Sequence, residues 1–248
     1  MSRGVRPNFL LLSAFAFIAS HVSAHWIYEG VSTPTTNTSD ATRIPKNWSP
    51  IFDATDPVIR CNANNGPAKE TLTVKAGDEV VFRMREGDDF YHPGPAAMYL
   101  GMVPEGESAA TWDGSGARWF KIKNWGTGET TEELSPGWTI PQFEWPWQTY
   151  GSVTLHATIP TEVPSGEYLL RVESTSFAVA VGVPQWWVSC AQIKVINGGG
   201  GKPPLVEIPG HIEMDDPNLQ VNTYKPPIEG FRIPGPDVWP AVVDTAKV

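Results

Sequence analysis

Hydrophobic residues fall in short runs along the chain, and several runs alternate with polar residues at the two-residue period of a β-strand. Leu72 and Val74, for example, alternate with Thr71 and Thr73. The predicted strands span residues 71–74, 79–83, 96–100, 119–122, 151–159, 167–174, 177–181 and 191–196. No segment longer than one or two turns repeats at the helical period. Many short strands joined by glycine- and proline-containing turns favour an all-β fold built as an antiparallel β-sandwich.

Two long stretches, 126–150 and 198–248, have no strand pattern. The second begins with consecutive glycines but is too short, and too poor in cysteine, to be a separate module. Its apolar residues include Ile208, Ile212, Leu219, Val221, Ile228 and Phe231. We therefore expect residues 25–248 to form a single domain with long loops, in which this tail packs back onto the strands.

The first 24 residues have the pattern of a secretory signal peptide. Arg3 and Arg6 precede an apolar run over residues 9–19, and residues 22–24 resemble a peptidase cleavage site. The run is shorter than the ~20 residues that span a bilayer, which disfavours a membrane anchor. Cleavage after Ala24 is predicted, and it leaves His25 as the first residue of a secreted, extracellular protein.

The chain is acidic, with 27 Asp and Glu against 18 Lys and Arg and a formal charge of −9. Loss of Arg3 and Arg6 with the signal peptide lowers that charge by two, to −11. An acidic chain without basic clusters is poorly suited to nucleic acid or to anionic membranes. We expect neither as a partner.

Two features suit an oxidising secretory compartment. Cys61 and Cys190 are the only cysteines, so one disulfide bond is predicted in preference to two free thiols. Asn37 begins an Asn-Thr-Ser acceptor sequon for N-glycosylation. A second sequon begins at Asn47, but the Pro50 that follows it makes modification there less favourable.

His25 is the strongest candidate for binding a metal. A free N-terminal histidine offers its α-amine, with an ordinary pKa of about 8, and its ring Nδ1 as ligands. One further imidazole completes a planar set of three nitrogens, a geometry that Cu(II) favours. His92 is the candidate for the second imidazole, since the Pro-Gly-Pro that follows it restricts the backbone, but taken alone it is more often a hydrogen-bonded loop histidine than a ligand. His156 lies on a predicted strand and is expected at the surface, and His211, in a tail turn, has no partner at ligand spacing.

A series of motifs extends over nearly the whole chain from His25 onward. They are DPVIRCN at 56–62, HPGP at 92–95, TWDGSG at 111–116, WFKI at 119–122, GEYLLR at 166–171, CAQI at 190–193 and IPGP at 233–236. In this order and spacing the chain resembles the auxiliary activity family 9 lytic polysaccharide monooxygenases, formerly called glycoside hydrolase family 61.

The resemblance implies an immunoglobulin-like antiparallel β-sandwich, a Cys61–Cys190 disulfide and one copper ion on a flat face. The amine and ring of His25 and the ring of His92 are the implied copper ligands. Tyr224 matches the tyrosine of the family's flat face and is predicted to contact a sugar. The implied partners are an insoluble polysaccharide surface and an external electron donor, and we expect the protein to act as a monomer.

Two positions depart from the family pattern. Trp187 stands where the family has a tyrosine that approaches copper axially, and an indole has no lone pair with which to bind a metal. Ala178 stands seven residues after Arg171, where the family usually has a histidine that hydrogen-bonds oxygen species at the copper. Gln185 keeps its family position and is predicted to orient a bound oxygen ligand. Gln185 and Trp187 are therefore the predicted catalytic-site residues, with Trp187 capping the axial side.

Eleven tryptophans are many for this length. Trp138, Trp145 and Trp147 lie in the irregular stretch 126–150, where either stacking on sugar rings or ordinary packing accounts for them. Core packing is expected for Trp112, Trp119 and Trp125.

Three functions are consistent with these patterns. The leading hypothesis is a secreted copper-dependent monooxygenase that cleaves cellulose or a related β-glucan oxidatively. The second is a non-oxidising, copper-binding relative acting at cell-wall or polysaccharide surfaces, because Trp187 and Ala178 alter the surroundings of the copper. The third is a polysaccharide-binding module that needs no metal. A glycosidase is disfavoured, because no pair of facing carboxylates can be identified from the sequence.

Overall fold

A computed structural model describes residues 25–64, 66–128, 134, 147–177, 183–223 and 230–241. The predicted signal peptide, residues 1–24, lies outside this range. The strands are β1 Tyr28–Ser32, β2 Asn37–Thr38, β3 Thr42–Arg43, β4 Leu72–Lys75, β5 Glu79–Met84, β6 Ala96–Met102, β7 Ala117–Trp125, β8 Thr154–Thr158, β9 Gly166–Phe177, β10 Pro184–Ile196 and β11 Val206–Glu207. Two 3₁₀ turns span Pro57–Ile59 and Pro217–Gln220. In the part of the chain described, no helix has the length and apolar character needed to cross a membrane.

The strands form two sheets in the described part of the chain. The smaller sheet has the order β2-β1-β5-β8, and the larger has the order β11-β7-β6-β9-β10-β3. Neighbours on these two paths are antiparallel, and β4 adds to β10 as a parallel neighbour. The predicted all-β sandwich is thereby confirmed.

Most predicted strands are found close to their predicted positions, and β10 is the main difference. The pattern predicts a strand only over 191–196, whereas β10 begins at Pro184. Its first half is buried on both faces, so it lacks the alternation of a half-exposed strand. Phe177, the first residue of the predicted strand 177–181, is the last residue of β9. The rest of that predicted strand lies outside the described residues.

One hydrophobic core lies between the sheets, since it draws residues from both. Val31 and Phe82 contribute from the smaller sheet, and Leu100, Phe120 and Val172 contribute from the larger. Each is at most 1% exposed, and full burial of such a side chain contributes about 1.5–3 kcal/mol.

A second core covers the outer face of the larger sheet. Tyr99, Trp119 and Leu169 point to this face, opposite to their sequence neighbours in the first core. The tail packs onto it through Ile208 and Ile212, as the apolar pattern of that tail predicts. Trp112, Trp119 and Trp125 are buried, as expected.

The disulfide between Cys61 and Cys190 is present, with the two Cα atoms 5.1 Å apart. It ties the loop after the first 3₁₀ turn to the middle of β10. The cysteines are 129 residues apart in the chain, and closing so long a loop stabilises the fold by at most about 5 kcal/mol in chain-entropy models. The bond therefore fixes the strand that also carries Gln185 and Trp187.

Buried charges fasten the tail to the outer face of the larger sheet. The Glu173 carboxylate accepts hydrogen bonds from Tyr99 (3.0 Å) and pairs with Arg171 (2.7 Å), and His211 Nε2 of the tail lies 3.2 Å from it. Burial opposes ionisation of Glu173, but the nearby Arg171, His211 and Lys121 outweigh it and hold the pKa of Glu173 well below its usual range. Glu173 is a structural partner of His211, and the prediction that His211 has no partner at metal-ligand spacing stays a prediction. Its partner lies on β9, which sequence spacing cannot reveal.

Candidate metal centre

His25 and His92 come together at one end of the sandwich. Their ring centroids lie 5.7 Å apart, with the ring planes inclined by 44°, and both residues are half-buried. His25 lies three residues before β1, and His92 lies four residues before β6. The structure thus brings together the two histidines that the sequence singles out as metal ligands.

The backbone beside His25 is fixed by the two residues that follow it. The amide of Ile27 donates a hydrogen bond of 2.9 Å to the buried carboxylate of Asp88. The indole N–H of Trp26 donates one of 3.1 Å to the hydroxyl of Ser174 on β9. Because both anchors lie within two residues of His25, the position of that residue is well determined.

The backbone beside His92 is fixed by close contact with β9. A Cβ atom on Gly94 would lie 1.9 Å from the carbonyl oxygen of Thr175, so only glycine fits there. The carbonyl of Gly94 accepts a hydrogen bond of 2.8 Å from the Thr149 hydroxyl. The amide of Thr175 donates one of 2.9 Å to the carbonyl of Pro95. The Pro-Gly-Pro segment therefore presses the loop against the sheet and presents His92 at its edge.

The ring of Trp187 packs against both histidines. Its ring centroid lies 5.6 Å from that of His25 and 5.7 Å from that of His92, and it stacks on the His92 ring at 21°. Trp187 also stacks on the ring of Trp26, with the two ring centroids 4.2 Å apart. Its indole N–H donates a hydrogen bond of 3.2 Å to the backbone carbonyl of Trp48. The only polar atom of the side chain is therefore bonded to the backbone of another loop.

Gln185 lies two residues before Trp187 on β10. Side chains alternate along a strand, so Gln185 points to the same face of the sheet as Trp187. It lies opposite Ser176 on β9 and is 9% exposed. A buried amide next to the ring that backs the histidines can donate and accept hydrogen bonds at the edge of the centre.

The donor chemistry of the centre fits a metal that prefers nitrogen. With metal–nitrogen distances of about 2 Å, two imidazoles on one ion have ring centroids between roughly 4.5 Å apart (adjacent) and roughly 6 Å apart (opposite), a range that includes the observed 5.7 Å. Burial lowers the pKa of His25, and burial together with the neighbouring His25 lowers the pKa of His92. The lower pKa favours the neutral imidazole, which has the lone pair that a metal needs. In the described ranges, no group of three or more His, Cys, Asp or Glu side chains is placed to hold a metal.

Two residues of this region, Asp88 and Trp48, do not follow from sequence reasoning. Asp88 is 5% exposed and its Oδ2 accepts hydrogen bonds from the amide of Ile27 and from the indole N–H of Trp48. Burial raises the pKa of Asp88, although these hydrogen bonds and Arg85 oppose that effect. The one sequence signal that could have drawn attention to Trp48 is that it is a tryptophan in an otherwise polar loop at 46–50.

Several other predicted residues fall outside the part of the chain described, namely Tyr224, Ala178, Trp138 and Trp145. Trp147 is buried, and its indole N–H donates a hydrogen bond of 2.8 Å to the carbonyl of Thr223. The packing explanation therefore holds for Trp147. Asn37 is exposed on the short strand β2, where its side-chain oxygen accepts a hydrogen bond from Arg83.

The sequence model of the family described as Auxiliary Activity family 9 (formerly GH61) matches residues 20–230. The chain is 38% identical over 231 residues to AA9 family lytic polysaccharide monooxygenase H of Malbranchea cinnamomea, and the match covers 90% of this chain and 95% of that protein. It is 36% identical over 241 residues to AA9 family lytic polysaccharide monooxygenase C of Emericella nidulans, with 92% and 97% covered.

Solved structures are similar over the same extent. A crystal structure of a cellulose-active polysaccharide monooxygenase from M. thermophila superposes with a TM-score of 0.68 at 27% identity. The crystal structure of HiLPMO9B superposes with a TM-score of 0.70 at 28% identity. Each match covers 87% of this chain and 99% of the other.

Proposed function

The chain belongs to Auxiliary Activity family 9, and from this premise we propose that it is a copper-dependent lytic polysaccharide monooxygenase that cleaves cellulose or a related β-glucan oxidatively. The observation that carries the proposal is the convergence of the His25 and His92 rings, with centroids 5.7 Å apart, at one end of the sandwich. Members of the family are copper enzymes that act on insoluble polysaccharide with external reductants.

The proposed ligands of one copper ion are the α-amine and ring of His25 and the ring of His92. The amine becomes available only when the chain is cleaved after Ala24, so secretion and metal binding are linked in this proposal. When bound, copper supplies the one-electron chemistry that activates oxygen or peroxide. The planar three-nitrogen set is one that Cu(II) favours, and the lowered pKa values of both imidazoles support it.

The protein's own residues shape the surroundings of this centre. Trp187 places the carbon atoms of its ring against both histidines and would exclude water from that side of a bound copper, since its N–H is bonded to the carbonyl of Trp48. Gln185 would hydrogen-bond and orient an oxygen ligand, and its position on the same face of β10 as Trp187 supports this role. The burial of Trp187 in the core between the sheets supports a fixed position for this ring.

The proposed partners are an insoluble glucan surface and an external electron donor, met by a secreted, monomeric protein. Tyr224 is the proposed sugar contact carried over from the family's flat face. Asn37 is the proposed glycosylation site, and its exposure on β2 supports access by the modifying enzyme. Family members are secreted fungal enzymes.

A second candidate function is a copper-binding relative that does not oxidise polysaccharide. Trp187 favours it, because an indole provides no lone pair where the family has a phenol. The engagement of its N–H with Trp48 also leaves it no hydrogen bond to offer at the metal.

One preparation separates these functions. Protein secreted with His25 as its first residue is loaded with copper, examined by electron paramagnetic resonance, and then incubated with ascorbate and cellulose. An axial spectrum with nitrogen coupling that is lost in His92→Ala supports the copper centre. Oxidised oligosaccharides in the mass spectrum support the monooxygenase, whereas their absence across several glucans favours the second candidate. A first residue other than His25 would overturn both.

A further inference from the structure

Asp88 is a buried carboxylate at the end of a tight turn that follows β5. The amide of Asp88 donates a hydrogen bond of 3.0 Å to the carbonyl of Arg85, and Gly87 between them has a φ of 86°, which glycine adopts without strain. Asp88 itself is 5% exposed. Burial of a carboxylate is costly unless it accepts hydrogen bonds, so its donors indicate what it does in the fold.

Both donors to Asp88 belong to segments that contact the metal centre. Its Oδ2 accepts a hydrogen bond of 2.9 Å from the amide of Ile27, two residues after His25, and one of 3.2 Å from the indole N–H of Trp48. The same turn binds the other polar backbone group of Ile27, because the amide of Arg85 donates a hydrogen bond of 2.9 Å to the Ile27 carbonyl. One turn therefore holds Ile27 through both its N–H and its C=O.

The turn is continuous with the segment that carries the second histidine. Asp88 lies four residues before His92, and the amide of Phe90 between them donates a hydrogen bond of 3.0 Å to the carbonyl of Ser152. The hydrogen bond from Ile27 to Asp88 thus joins the N-terminal segment directly to the segment of His92. This bond fixes the two ligand-bearing segments relative to each other.

We propose that Asp88 is a positioning residue of the copper centre, which holds Ile27 and thereby sets the direction in which the α-amine and ring of His25 approach the metal. The proposal rests on the proposed function and adds a residue that acts through the backbone rather than as a ligand. Ordering a flexible terminus on binding opposes the binding free energy, and a terminus that is already ordered avoids that cost. Since the bond to Asp88 lies two residues from His25, its loss leaves the terminus less ordered.

The test compares Asp88→Ala with Asp88→Asn in protein that begins at His25. The asparagine Oδ1 can accept both hydrogen bonds in place of the carboxylate, whereas alanine accepts neither. Copper affinity is measured by competition with a chelator, and the copper-loaded proteins are compared by electron paramagnetic resonance. We expect the alanine variant to bind copper about tenfold more weakly, at the lower end of the cost of losing a residue that supports a ligand, and to show altered nitrogen coupling. The asparagine variant should retain the wild-type affinity and spectrum.

Glu167→Ala is the matched control for loss of a carboxylate that holds a backbone amide. Glu167 Oε2 accepts a hydrogen bond of 2.7 Å from the amide of Ala109. It lies at the start of β9, whereas Ser174, near the other end of that strand, bonds to Trp26 beside the centre. This variant should keep the copper affinity and spectrum of the wild type. If Asp88→Ala does not fold, Asp88→Ser takes its place, because the serine hydroxyl can bind water but lies one bond closer to the backbone than a carboxylate oxygen.

The outcomes separate the positioning role of Asp88 from the proposed function. Weaker binding in the alanine variant, restored by asparagine, supports positioning through hydrogen bonds. Wild-type affinity and spectrum in the alanine variant overturn the role and leave the proposed copper centre standing. Equal weakening in the alanine and asparagine variants overturns it too, because the charge is then responsible, and equal weakening in Glu167→Ala ascribes the effect to general destabilisation. A wild-type protein that does not bind copper overturns both the role of Asp88 and the proposed function.

Discussion

The indole N–H of Trp187 donates a hydrogen bond of 3.2 Å to the backbone carbonyl of Trp48. This bond gives the buried indole N–H of Trp187 an acceptor. A buried N–H without an acceptor costs about 1–3 kcal/mol, and the loop that carries Trp48 supplies that acceptor. Because the bond engages the only polar atom of the Trp187 side chain, the ring contacts His25 and His92 as an apolar surface.

Replacing Trp187 by tyrosine should restore an oxygen atom near the copper and change the copper spectrum. The smaller ring leaves space in the core, and the carbonyl of Trp48 loses the hydrogen bond that the indole N–H donates. We therefore expect the free energy of unfolding to fall by about 1–3 kcal/mol. Electron paramagnetic resonance of the copper-loaded variant and urea unfolding measure the two effects.

Trp187→Phe is the matched control, because it loses a similar volume and the same N–H without adding an oxygen. Its stability should fall as in the tyrosine variant. Identical copper spectra for the two variants would show that the phenol oxygen does not reach the metal from this position.

Gly94→Ala should destabilise the protein and weaken copper binding together. The added Cβ would lie 1.9 Å from the carbonyl oxygen of Thr175, so the loop must move away from β9, and overpacking of this kind costs about 1–3 kcal/mol or more. The movement displaces His92, two residues earlier. Urea unfolding and copper titration of the metal-free protein measure both effects.

Gly200→Ala is a suitable control for that substitution, since a Cβ there meets no atom within 4 Å. It should leave the free energy of unfolding within about 0.5 kcal/mol of the wild type. A Gly94→Ala protein with wild-type stability and copper affinity would contradict the tight contact with β9.

The buried pair of His211 and Glu173 should make the fold sensitive to acid. Burial lowers the pKa of His211, and despite burial the surrounding Arg171, His211 and Lys121 lower the pKa of Glu173. Both groups bind protons more weakly when folded than when unfolded. Each group therefore contributes to the free energy of unfolding at pH values above its ordinary pKa. The contribution of His211 is lost as pH falls below about 6.5, and that of Glu173 is lost as pH falls below about 4.3.

His211→Gln keeps a hydrogen-bond donor for Glu173 but does not titrate. We expect the loss of stability between pH 7 and pH 5 to be smaller in this variant than in the wild type. Urea unfolding at several pH values measures the slope. Parallel curves for the two proteins would show that His211 is not the group that responds to acid in this range.

The two histidines could be identified from the sequence because their signals are local. The predicted cleavage site before His25 and the Pro-Gly-Pro after His92 are recognised without knowledge of the fold. The strands with polar neighbours on one face were likewise predictable. The first half of β10 was not, because the cores on both faces of the larger sheet remove its alternation.

The supports of the centre could not be predicted, because they are contacts between distant loops. Trp48 and Asp88 are 40 residues apart in the chain, and nothing in either segment specifies the other. The same holds for His211 and Glu173, which meet only because the tail folds over the outer face of the sheet. Sequence patterns identify candidate ligands that lie within a motif. The residues that fix the positions of those ligands are brought together only by the topology of the fold.

Acetylation of the α-amine of His25 should abolish most of the stabilisation that copper gives. In protein that begins at His25 with a free amine, copper at a concentration of 100 times its Kd should raise the free energy of unfolding by about 2.7 kcal/mol, or the Tm by roughly 5–10 °C for a chain of this size. The acetyl group converts the α-amine into an amide nitrogen without a free lone pair, and, unlike an added residue, it supplies no new terminal amine that could anchor copper beside that nitrogen. The two imidazoles remain, so weak binding persists, and thermal unfolding with and without copper should show a Tm rise of no more than a few degrees. His92→Ala with the native terminus should show a similarly reduced rise, because it removes the other arm of the chelate. If the acetylated and native proteins gain the same Tm at equal copper concentrations, the amine is not a ligand and the metal is bound elsewhere.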